Sequence, residues 1–156
     1  MRITVGYAYL VFIIGLISCS TRFNPEEIEI EITTMLNDYH GAIKTSGLKA
    51  EFDYLDSSEQ FFWVPPGYHT ALDYDSVRTI LLQNAPGISE MDLKWEKLNV
   101  FPLTADMATY YGIVNSIVTD ISGNVSETRM LESGTLIRRK DGWKLLSGQS
   151  RILGSE

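Results

Sequence analysis

The stretch Gly134-Thr135-Leu136-Ile137-Arg138-Arg139-Lys140-Asp141-Gly142-Trp143-Lys144-Leu145-Leu146 decides the fold. A charged turn, Lys140-Asp141-Gly142, joins two β-favouring runs that extend from 127 to 152, which is the pattern of a tight hairpin. Asp141-Gly142 is expected to supply the positive φ angles of a type I′ turn. Trp143 is expected to pack where the hairpin meets a helix. Upstream, residues 105–120 form a long run rich in Tyr, Ile, Val and Thr, and Met91, Leu93 and Trp95 alternate with Asp92, Lys94 and Glu96. Ser122-Gly123-Asn124 punctuates them as a turn, so the second half of the chain reads as four long antiparallel strands.

The first half reads as helical. Asn24-Pro25-Glu26-Glu27 combines an N-cap residue, a first-turn proline and acids at the positive end of the helix dipole. From there Ile28, Ile32, Met35 or Leu36, Tyr39 and Ile43 recur at spacings of three and four until Ser46-Gly47 stops the helix. A short helix over 48–55 buries Leu48, Phe52 and Leu55. A strand, Phe61-Phe62-Trp63-Val64, closes at Pro65-Pro66-Gly67. A third helix over 75–84 turns Val77, Ile80 and Leu81 inward and ends at Ala85-Pro86-Gly87. The order implies an α+β class: a strongly curved antiparallel sheet with helices packed on its concave face, enclosing a cone-shaped cavity.

With 156 residues, 44% hydrophobic and 21% charged, the chain has room for one domain of ordinary globular composition. Its N-terminus departs from that average. After Arg2, an apolar run from Val5 to Ile17 carries no charge, and the next is Arg22. A spanning helix needs about 20 apolar residues, so this run is short for a span and suits the h-region of a secretion signal. It ends in Leu16-Ile17-Ser18-Cys19, which resembles the lipobox of bacterial lipoproteins. That resemblance implies a signal peptide at 1–18, a lipidated Cys19 with a tether over 19–24, and a domain over 25–153. Cys19 is the only cysteine and has no internal disulfide partner, while two or more acyl chains give stable anchoring. The expected location is the cell envelope, lipid-anchored in a membrane. Ser20 stands where an inner-membrane retention signal would place aspartate, which favours the outer membrane in a two-membrane cell. Without residues 1–18 the chain keeps 12 Lys+Arg against 20 Asp+Glu, a formal −8, so no nucleic-acid partner is expected.

The tail ending in Gln149-Ser150, the Ser46-Gly47-Leu48 step after the first helix and the element order together resemble nuclear transport factor 2-like domains. This group includes ketosteroid isomerase and the SnoaL-type polyketide cyclases, and the resemblance covers residues 25–152. Isomerase chemistry needs a tyrosine on the first helix as oxyanion donor and an acidic base on the first strand. Counted from Leu48, the tyrosine position falls on Tyr39 and the base position on Trp63. Tryptophan cannot abstract a proton, and Phe61, Phe62 and Val64 offer no carboxylate either.

Aromatic residues are the remaining lead. Tyr39, Trp63, Trp95 and Tyr111 are the expected pocket lining for a small hydrophobic ligand, with Tyr68 a further aromatic. Tyr110 and Tyr111 must face opposite ways. Tyr111, in phase with Ile113 and Ile117, is taken as the inward one, with Tyr110, in phase with Val114 and Val118, as the alternative. His40 and His69 lack metal-site spacing, no Ser-His-Asp set is recognisable, and neither a metal nor a cofactor is expected. Asp53 and Asp56 could share one helix face. Two readings follow: a non-enzymatic ligand-binding or interaction module, or an isomerase, cyclase or hydrolase using Tyr39 as donor and an acid such as Asp53 as base. They differ in whether a carboxylate reaches the pocket centre. A homodimer through the sheet is a further expectation.

Overall fold

The computed structural model describes residues 23–154, so the expected signal peptide, Cys19 and most of the expected tether lie outside the described residues. Helix α1 spans Pro25–Ser46, followed by a 3-10 turn, Leu48–Asp53. Strand β1 (Phe62–Val64), helix α2 (Tyr74–Asn84) and a second 3-10 turn (Ala85–Gly87) come next, and then β2 (Ile88–Pro102), β3 (Met107–Asp120), β4 (Val125–Arg139) and β5 (Gly142–Ile152). The five strands form one sheet in the order β1-β5-β4-β3-β2. Strands β2 to β5 are an antiparallel meander, while β1 runs parallel to β5, with Trp63 opposite Gly148. The α+β class is as read, and one parallel edge strand is added to it.

Helix α1 buries the residues its periodicity marks, Ile28, Ile32, Leu36, Tyr39 and Ile43, together with His40. They pack on the inward residues of the sheet, among them Val100, Ala108, Tyr110, Leu136 and Leu145. Burying such a side chain is worth roughly 1.5–3 kcal/mol, so this seam is a main source of stability. Asn24 does not cap the helix with its side chain, which instead donates to Glu27 Oε2 at 3.3 Å; Pro25 already removes one of the amides that need a cap. Gly47, at φ 77°, ends the helix.

The tail hairpin is fastened to α1. Trp143 Nε1 donates to Glu31 Oε2 at 3.0 Å, and the Arg138 guanidinium lies 4.6 Å above the Trp143 ring while also pairing with Glu31. Its turn is not type I′. Only Gly142 has a positive φ, 116°, while Asp141 lacks one and pairs with Lys144 at 3.0 Å. A single glycine at the exit of the turn therefore does the work assigned to two residues. The short helix expected over 48–55 is a 3-10 turn that stops at Asp53; Leu48 and Leu55 are buried, but Phe52 is only half-buried under Arg78.

Curvature comes from three register shifts, at Ile88/Glu90, Trp95/Lys97 and Thr135/Leu136, and from glycines on the concave face. Tyr110, Gly134, Gly148 and Trp63 form one row across β3, β4, β5 and β1. A Cβ on Gly148 would lie 2.5 Å from Trp63 Cζ3, and one on Gly134 would lie 3.0 Å from Tyr110 Cε1. The two rings thus rest directly on bare backbone.

Candidate functional site

A chamber of 190 Å³ lies between α1, the first 3-10 turn and the concave face of the sheet. Tyr39, Leu55, Trp63, Val77, Met91, Leu93 and Met130 supply its apolar walls, and two carboxylates line it, Glu51 from the 3-10 turn and Glu132 from β4. The sequence reading offered Asp53 as the possible acid and named neither glutamate.

Each carboxylate is held by a buried tyrosine. Tyr39 donates to Glu51 Oε2 at 3.0 Å; Tyr110 donates to Glu132 Oε1 at 2.7 Å, and Ser150 adds a bond to Glu132 Oε2 at 3.3 Å. Both residues are half-buried and both line the chamber. Burial pushes Glu51 up to about 7; the Tyr39 hydrogen bond pulls it down, and the nearby Glu132 charge pushes it further up. Burial raises Glu132 as well, against the pull of Tyr110 and Ser150. Both phenols are driven well above the usual tyrosine range, first by burial and then by the carboxylates they serve, so they remain donors at any physiological pH.

The expected aromatic lining divides. Tyr39 and Trp63 face the same chamber. Trp95 points inward but fills core instead, stacked on His40 at 4.8 Å and edge-on to Tyr110 at 6.0 Å. Tyr111 is on the outer face, 41% exposed and stacked on Phe101, while Tyr110 is the inward member of the pair at 1%. The reason is register: Tyr110 lies opposite Val100 on one side and Gly134 on the other, where there is room for its ring. Tyr68 is exposed. Asp53 is exposed too, and Asp56 does not pair with it: its carboxylate is buried against Arg139, at 2.6 and 3.1 Å, and is held low chiefly by that contact. Burial lowers His40 to about 4 against the pull of Asp92, which leaves its ring neutral between Tyr39 and Trp95. Among the described residues no group of three or more His, Cys, Asp or Glu is placed to hold a metal ion.

No protein-family model and no curated protein matches the chain. Solved structures do. A nuclear transport factor 2-like superfamily protein of Salmonella enterica superposes with a TM-score of 0.70 at 13% identity, over 83% of this chain and 94% of that one. A protein of Novosphingobium aromaticivorans provisionally assigned as an aromatic ring hydroxylase gives 0.71 at 18% identity, over 85% and 94%. Another from the same organism, provisionally assigned as a scytalone dehydratase, gives 0.70 at 12% identity, over 83% and 87%. At such identities the likeness is one of fold, and the fold of this chain is the nuclear transport factor 2-like one.

Proposed function

We propose that this domain binds a small, largely apolar molecule and moves protons on it, with Glu51 as the proton-transfer group, Tyr39 as the donor that sets its basicity, and Glu132 as a second acid on β4. The observation that carries this reading is the pair of tyrosine-bound carboxylates lining one largely apolar chamber, one of them poised near neutrality. A carboxyl near pH 7 can accept a proton in one step and return it in the next, the requirement for isomerisation or dehydration. It replaces Asp53 as the base considered from the sequence.

The test is a turnover screen of small hydroxy- and carbonyl compounds. Glu51→Gln should lower the rate about 10²–10⁴-fold, the usual share of a general base. Tyr39→Phe removes the bond that lowers Glu51, so the inflection of the rate–pH profile should move up from near 7, with about 1 kcal/mol lost in stability. Turnover indifferent to Glu51→Gln refutes the assignment. The second reading, a binding module without turnover, draws on Trp63, which stands where the isomerases place their base.

We further propose that the domain is exported and held at a membrane through Cys19, and that it pairs with a second copy through the outer face of the sheet. The apolar run ending in Leu16-Ile17-Ser18-Cys19 supports the first, and the exposed Phe101–Tyr111 stack supports the second. Cys19→Ala should accumulate as an uncleaved precursor without acyl chains. Processed, acylated material from that variant would refute the anchor, and a monomer by light scattering at micromolar concentration would refute the pairing.

A further inference from the structure

The chamber is not closed. Glu51, Trp63, Val77 and Met91 line it on one side and, on the other, line a cleft of 440 Å³ that runs beneath α2. The outer walls of that cleft are mainly Leu48, Pro65, Ile80, Leu81 and Ile88, with Asn84 the one uncharged polar side chain, and the only ionisable residue along it is Glu51, shared with the chamber. One elongated space therefore changes character at a throat: hydrocarbon outside, two carboxylates inside. Together the two volumes fall in the range of sites for drug-sized ligands.

The chamber lining contains Glu51 and Glu132 and no lysine, arginine or histidine. An anionic head group would meet two acids and no countercharge. A neutral head could accept or donate hydrogen bonds but would leave any ionised carboxylate uncompensated in a largely apolar chamber. A cationic head satisfies both acids and lies beside the aromatic rings of Trp63 and Tyr39, a ring type that attracts cations. We infer that the ligand is an apolar amine, its ammonium head in the chamber between Glu51 and Glu132 and its hydrocarbon tail in the cleft beneath α2. This inference rests on the chamber being the functional site and names the class of molecule it takes.

The experiment is calorimetric titration of the full-length protein in nanodiscs of phosphatidylcholine, with butylamine, hexylamine, hexanol and hexanoate as probes and empty discs as the blank. Hexylamine should bind at least about tenfold more tightly than hexanol, and hexanoate should not bind. Lengthening the amine should tighten binding by about fourfold per methylene, from the free energy of burying one such group. Glu51→Gln and Glu132→Gln should each weaken hexylamine by about tenfold and leave hexanol unchanged. Ile80→Ser, at the cleft, should flatten the dependence on chain length. Circular dichroism of each variant confirms that the fold is intact, and any variant that fails is replaced by Glu132→Ala or Leu81→Ser, scored the same way. Hexanol or hexanoate binding as tightly as hexylamine overturns the amine assignment, as does hexylamine binding that ignores both glutamates. No dependence on chain length overturns the placement of the tail. Because these probes are scored by binding alone, loss of amine selectivity with an intact Glu51 effect on turnover rejects the ligand class and keeps the proton-transfer reading; the converse rejects the latter only.

Discussion

Glu51→Gln is expected to stabilise the folded domain by about 2–3 kcal/mol at pH 8 and to change little at pH 4. Burial raises the folded-state carboxyl from 4.5 to about 7. Below 4.5 both folded and unfolded chains carry the proton. Between 4.5 and 7 the unfolded chain releases it first, so stability is lost as pH rises, and above 7 the whole loss is in place. Glutamine resembles the protonated acid, still accepts from Tyr39 and escapes that loss. His40 works in the opposite sense: with its folded value lowered from 6.5 to about 4, it is the unfolded chain that takes up a proton first as pH falls, and stability is lost from 6.5 downwards. In the native chain the two losses oppose each other and flatten the pH profile. In the variant the Glu51 loss is gone and only that of Glu132, whose carboxyl burial also raises, still opposes His40, so stability should climb more steeply from pH 4 to 6.5 than in the native chain. Urea denaturation at pH 4, 6 and 8 checks both statements, and an equal effect of the substitution at pH 4 and pH 8 would show that Glu51 is not held near neutrality.

Gly148→Ala is expected to cost about 3 kcal/mol and to disturb the chamber at the same time. The new methyl would lie 2.5 Å from the Ser133 carbonyl oxygen and 2.5 Å from Trp63 Cζ3. The carbonyl belongs to the β4 backbone, opposite β5, and cannot retreat without parting the two strands. The indole can move only into the chamber it lines. Truncating the ring in Gly148→Ala/Trp63→Leu should recover part of the loss, because the side-chain clash goes and the backbone clash stays. Thermal melts of the native chain and the two variants decide it; single and double variants melting together would mean that Trp63 does not rest on Gly148.

Much of this architecture is legible in the sequence, and the acids that define the site are not. The α1 face and the tail hairpin stand out because apolar periods of 3.6 and 2 run through them without interruption. Glu51 escapes because the segment around it looks like an α-helix edge bearing Asp53 and Asp56. In a 3-10 turn residues three apart eclipse, so Glu51 follows the buried Leu48 inward and Asp53 turns to solvent. Glu132 carried a usable signal: it is in phase with Leu136, which is fully buried, and therefore sits on the inward face of β4. The same alternation, followed back across the ladder from Leu136 to Ala108, selects Tyr110 over Tyr111. A glycine two residues before Leu136 marks where Tyr110 lands, but which ring uses a gap is a property of pairing, not of either strand alone.

The sheet order has a consequence for how the chamber comes into being. Strand β1, which carries Trp63, pairs within the sheet only with β5, and the segment just before it is tied by Asp56 and Tyr54 to Leu145. The meander β2-β3-β4 can close on local contacts as soon as it is made, whereas Trp63 stays without its sheet partner until the last strand arrives. Contacts so distant in sequence slow folding, because loop-closure entropy is lost before they form. A chain still on the ribosome would therefore have Glu132 in the meander while Trp63 still lacks its strand. The chamber is complete only once β5 has been made.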